Sequence, residues 1–188
     1  MHTTASTASE SLAAFLKAEL DSPTEGHRLR AVLDRLDVPE QVLASPNVDH
    51  PAEDECRWAI LDSYRGGKSL FDTLDIRNLD WMRARLSERD PGNRTVTCRH
   101  RFENEYGTRD PSQIALELNA RGHSNDAAKR LREGENLEPP LLVGNSSLDR
   151  LAILEGHNRI ISYLRDLSAV ALPLPVFIGI GRQVSHWR

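Results

Sequence analysis

The chain has 188 residues, with 24 Lys+Arg against 28 Asp+Glu and a formal net charge of −4. Apolar residues make up 39% and charged residues 28%, which excludes pervasive disorder. No stretch approaches the roughly 18 apolar residues of a membrane span, and two cysteines, Cys56 and Cys98, are too few for a disulfide scaffold or a four-thiolate zinc site. Met1 to Glu10 lacks a basic-then-apolar signal pattern, so a cytoplasmic protein without membrane partners is expected.

The charge is uneven. Residues 1–90 carry 11 Lys+Arg and 17 Asp+Glu, whereas residues 91–188 carry 13 and 11. Neither half has the positive field of a protein that grips a nucleic-acid backbone, so no specific nucleic-acid partner is expected.

In chain order, residues 1–8 are small, polar and unpatterned, which predicts disorder. Leu12, Phe15, Leu16 and Leu20 then recur at helical spacing, with Ser9 or Ser11 as N-cap. Pro23 opens a second helix with Leu29, Val32, Leu33 and Leu36 on one face, and Pro39 to Leu43 makes a short helical turn. Pro51 followed by Glu53, Asp54 and Glu55 marks a helix N-terminus; that helix runs to about Tyr64 and stops at Gly66-Gly67. Leu79 to Arg89 reads as a further helix, ending before Pro91-Gly92. Beyond it, Val96, Cys98, His100 and Phe102 alternate as in a strand. Pro111 begins a helix containing Ile114, Ala115 and Leu118, and a second lies near Asn125 to Arg132. Pro139 to Val143 and Leu151 to Leu154 suit strands, Asn158 to Leu167 a helix, and Leu174 to Ile180 a last strand. The chain is thus expected to be α+β: a small mixed sheet with helices over 93–188, preceded by a helical extension over 1–92. The apolar stripes of the extension are expected to dock on that core.

Several motifs fail. Gly67-Lys68-Ser69 has Asp62 where a P-loop needs its first glycine, and a helix precedes it instead of a strand. Gly144-Asn145-Ser146-Ser147 has Leu148 where a nucleophile elbow needs its second glycine. Cys98 and His100 share a strand face, but two ligands without a third do not make a metal site.

The strongest feature is Leu151-Ala-Ile-Leu-Glu-Gly-His-Asn-Arg-Ile160, a strand that ends in Glu155-Gly156 and passes at once into a helix. A helix N-terminus presents unpaired amides and the positive end of its dipole, and so binds phosphate. Gly156 allows close backbone approach, and Arg159 on the first turn can fork onto phosphate oxygens. Glu155 could hold a magnesium-bound water or orient Arg159, and His157 and Asn158 add polar groups at the mouth.

Together with Pro140 to Val143 and Pro175-Val176, this stretch resembles the nucleotide-binding core shared by ParB partition proteins, sulfiredoxins and free-serine kinases. The resemblance extends over about residues 95–181 and is specific at 140–178. It implies binding of ATP or ADP, with CTP an open alternative, through Gly156, His157, Asn158 and Arg159. Sulfiredoxin's essential cysteine falls at His157, so sulfinic acid reduction is not expected. Partition proteins continue into a DNA-binding helix-turn-helix, whereas only Gly181 to Arg188 follow here. Kinases of this fold are implied to take a base from the region after the first core strand, where Glu103 and Glu105 stand; Glu155 and His157 are the next candidates. Two functions follow as expectations. One is phosphoryl transfer from a nucleotide, with Mg2+, to the hydroxyl of a small molecule such as an amino acid. The other is a non-catalytic ATP- or CTP-binding regulatory module. A homodimer stays open in both, and Trp187 is expected to cap the pocket or bury the tail.

Overall fold

The computed structural model describes residues 2–65, 74–87, 96–170, 172–182 and 184. Gly66 to Ser69, the start of the strand expected at Thr95, and Trp187 lie outside the described residues. The elements in chain order are β1 (Thr3–Ala5), α1 (Ala8–Leu20), α2 (Gly26–Leu36), α3 (Gln41–Ala44), α4 (Pro51–Arg65), β2 (Asp80–Leu86) and β3 (Val96–Thr97). There follow α5 (His100–Tyr106), α6 (Pro111–Ala120), α7 (Asp126–Arg132), β4 (Leu141–Gly144), β5 (Leu151–Glu155), α8 (His157–Arg165) and β6 (Leu174–Ile180). The protein is α+β, as expected. No helix among the described residues is long and apolar enough to cross a membrane.

The chain divides into two compact units, Ser6–Leu79 and Met1–Ala5 with Asp80–Arg188. In the helical unit α1 packs against α2, α3 and α4. Leu12, Phe15, Leu16, Leu29, Leu33, Leu43 and Ile60 are buried. The cap of α1 is Thr7, not Ser9 or Ser11: its hydroxyl accepts from the Glu10 N–H at 3.1 Å, and the Glu10 carboxylate accepts from the Thr7 N–H in return. Ser11 is itself buried within the helix.

The sheet unit begins earlier than residue 93, because 80–86 is a strand and not the helix expected over 79–89. β2 pairs antiparallel with β6 along its whole length, from Asp80 opposite Ile180 to Leu86 opposite Leu174. Thr3–Ala5, expected to be disordered, adds to the far side of β2 as an edge strand. The sheet order is β1-β2-β6-β4-β5-β3. β4 lies parallel to β6 and antiparallel to β5, and β3 lies parallel to β5. One face carries Ala84, Leu86, Val96, Leu142, Leu151, Ile153, Val176 and Ile178, which form a single core with Ile114 of α6 and Ile160 and Ile161 of α8. Arg165 in the last turn of α8 donates to Asn119 Oδ1 at 2.8 Å and to the Ser124 carbonyl at 2.6 Å, which ties that helix to the α6–α7 connection.

Candidate phosphate-binding turn

Three strand ends converge on Gly156. Leu141 at the start of β4 lies opposite Glu155 at the end of β5, which brings Pro140 against the turn. The Pro140 carbonyl is itself fixed by the Phe177 N–H at 2.9 Å. The parallel pairing of Val96 with Leu151 and Thr97 with Ala152 makes β3 and β5 leave the sheet side by side. Residues just past β3 therefore meet residues just past β5, at the carboxyl ends of parallel strands where α/β sheets commonly take ligands.

Gly156 is the N-cap of α8 with φ +91°, ψ +23°, a left-handed conformation that favours glycine. It offers no side-chain acceptor to the first amides of α8, which have no carbonyl within the helix to bond. The Ile160 N–H closes the first turn on the Gly156 carbonyl at 3.0 Å. Arg159, half-buried, curls back over the turn: its Nη1 donates to the Glu138 carbonyl, and its Nη2 lies 3.1 Å from the position a Cβ on residue 156 would take. Asn158 is exposed.

Glu155 is paired with Arg99. Its carboxylate accepts from Arg99 Nη2 at 2.8 Å, in an ion pair whose side chains are 12% and 14% exposed. Arg99 stands between β3 and α5 as the N-cap of α5, so β5 and the β3–α5 junction are bridged by a charge-assisted bond.

His157 is not at the mouth. It is 3% exposed, its ring stacks on Phe102 at 4.8 Å and 12°, and its Nε2 accepts from the Arg99 N–H at 3.2 Å. The ring proton then sits on Nδ1. Burial, reinforced by the Arg99 and Arg101 charges, pushes its pKa down to about 2. It is neutral and its accepting nitrogen is engaged, so it does not serve as a general base near neutral pH. Because the unfolded histidine titrates near 6.5, the unfolded state binds the proton first as pH falls, and stability drops below that value. Between pH 7.5 and 5.5 this residue should cost the sheet unit about 1.4 kcal/mol of unfolding free energy. Urea denaturation of the wild type and of His157→Gln at both pH values checks this; equal pH slopes in the two proteins would sink it.

The alternation through Phe102 stops at Cys98. The Cys98 N–H donates to the Arg109 carbonyl at 2.8 Å and Arg109 Nε donates to the Cys98 carbonyl at 2.9 Å, so this backbone pairs with the α5–α6 connection. His100 opens α5. Glu103 and Glu105 therefore lie on a helix, both exposed, and not in a loop after a strand. Phe102 on the same helix holds α5 against His157. Burial and the nearby Asp110 charge push the Cys98 thiol up to about 12, so it is not a thiolate nucleophile.

The described residues contain no group of three or more His, Cys, Asp or Glu able to hold a metal.

The tie of Arg99 to Glu155 and His157, and the roles of Phe102 and Pro140, were missed in the sequence. One signal was present: Gly107, which caps α5 in the left-handed conformation at φ +68°, marks a helix end after Tyr106. Compared with protein-family models, with curated proteins and with solved structures, the chain finds no match in any of the three.

Proposed function

We propose that this chain binds a nucleotide, ATP or ADP with CTP an alternative, through its phosphates at the Gly156 turn, and transfers a phosphoryl group to the hydroxyl of a small molecule. The observation that carries the binding step is the turn itself: a left-handed glycine opening α8 without a side-chain cap, with the Arg159 guanidinium laid over it. The likeness of Glu155 to Arg159 to the ParB and sulfiredoxin turn supports the same reading. The transfer step is supported by the stacking of Phe102 on His157, which holds the helix bearing Glu103 and Glu105 at the turn. We place the protein in the cytoplasm, in keeping with two free cysteines, with no specific nucleic-acid partner.

A second reading, a non-catalytic ATP- or CTP-binding module, is favoured by a different observation. Glu155 is bound to Arg99 and His157 is neutral and buried, so the turn's own two base candidates are both engaged.

Titration calorimetry with ATP, ADP and CTP in the presence of Mg2+ tests the binding step. Arg159→Ala removes a charge-assisted fork and should cost about 1.5–3 kcal/mol, roughly 10- to 100-fold in affinity. Unchanged affinity in a folded Arg159→Ala protein would place the site elsewhere. Incubation with a metabolite pool, followed by a search for a phosphorylated product, separates transfer from binding alone.

A further inference from the structure

Arg99 is held from both sides of Gly156. Its guanidinium is bound by Glu155 at 2.8 Å and its backbone N–H by His157 Nε2 at 3.2 Å. The same imidazole lies flat on Phe102, in the first turn of α5. His157 is the first residue of α8, so one side chain joins the start of α8 to the start of α5, segments far apart in sequence. An apolar residue could fill this volume, but it could not accept from the Arg99 N–H. An exposed residue could not lock two helices. A buried ring with an acceptor nitrogen does both.

We infer that His157 is a positioning residue that couples the phosphate turn to α5, so that anion binding at the start of α8 orders the helix carrying Glu103 and Glu105. This rests on the phosphate-binding reading above and adds to it a means by which occupancy of the turn is felt along a second helix. Two parts of His157 carry the coupling, the Nε2 acceptor and the ring face, and substitution separates them. His157→Gln keeps an acceptor at similar reach and loses the ring. His157→Phe keeps the ring and loses the acceptor.

The experiment uses inorganic tripolyphosphate with Mg2+ as probe, calorimetry for affinity, and hydrogen exchange read by mass spectrometry over residues 99–107. In the wild type, tripolyphosphate should bind and slow exchange in this segment. His157→Phe should bind about tenfold more weakly and show no slowing in α5, whereas His157→Gln, which keeps the acceptor but not the ring, should lie between it and the wild type in both. Should His157→Phe fold poorly, His157→Asn, too short to reach Arg99, takes its place with the same expectation. Wild-type affinity in these variants, with slowing of 99–107 intact, overturns the coupling and leaves the phosphate reading standing. No binding of tripolyphosphate or ATP to the wild type overturns both.

Discussion

Gly156→Val is expected to lower the stability of the sheet unit by about 2–4 kcal/mol and to remove nucleotide binding at the turn. Two costs combine. A branched side chain is forced into φ +91°, which costs about 1–2 kcal/mol for a residue with a Cβ. The new Cβ would also sit 2.9 Å from Pro140 Cβ and 3.1 Å from Pro140 Cα. The proline ring cannot swing aside, and its carbonyl is anchored by the Phe177 N–H. Either β4 shifts or the turn opens, and both misplace the first amides of α8. Gly107→Val is the internal comparison. Gly107 has φ +68°, but nothing lies within 4 Å of its Cβ position, so it carries the conformational cost alone. Thermal denaturation should therefore rank wild type, Gly107→Val and Gly156→Val in that order, and only the last should lose ATP affinity in calorimetry. If the two valine variants melt together, Pro140 does not constrain the turn, and the close approach assigned to Gly156 is wrong.

The parts of this fold that are legible in the sequence are those fixed by local chemistry. β5, the Gly156 turn and α8 are read from an apolar run, a glycine and an amphipathic stripe, and Pro111 marks the start of α6. The misreadings share a cause. Asp80–Leu86 is rich in Met, Arg, Ala and Leu, all strong helix formers. Its alternation of Met82, Ala84 and Leu86 with Arg83 and Arg85 was the competing signal, and pairing with β6 decides in its favour. Thr3–Ala5 has no apolar pattern at all; it is a strand because β2 offers it an edge. The reverse error at His100–Tyr106 arose because two residues of a helix happened to continue the period of β3. In the site, Gly156 and Arg159 could be read locally because glycine conformation and helix position are local properties. The Arg99–Glu155 pair could not. It exists because β3 and β5 are parallel neighbours, and no spacing in the chain encodes that juxtaposition.

The second large effect is expected at Glu103 or Glu105, and the helix sharpens the test. A hydroxyl acceptor must give up its proton as phosphoryl transfer proceeds, and a carboxylate within hydrogen-bond reach can take it. Residues two apart on a helix point about 200° away from one another, so Glu103 and Glu105 cannot both face one reacting group. One Gln variant should lower turnover by about 10²–10⁴-fold with nucleotide affinity little changed, and the other should stay within a few-fold of wild type. Helix position gives each a distinct claim. Glu103 lies next to Phe102 in the turn that stacks on His157, whereas Glu105 lies three residues beyond Phe102 and close to its face of the helix. The Tyr106 hydroxyl pKa is raised, first by burial and then by the neighbouring Glu105 carboxylate. Steady-state kinetics on an identified acceptor, run beside calorimetry on the same two variants, decides between them. Full turnover in both removes α5 from the chemistry. Nucleotide binding that survives while no acceptor is found makes the binding module the better account, with α5 then responding to an occupied turn and taking no part in transfer.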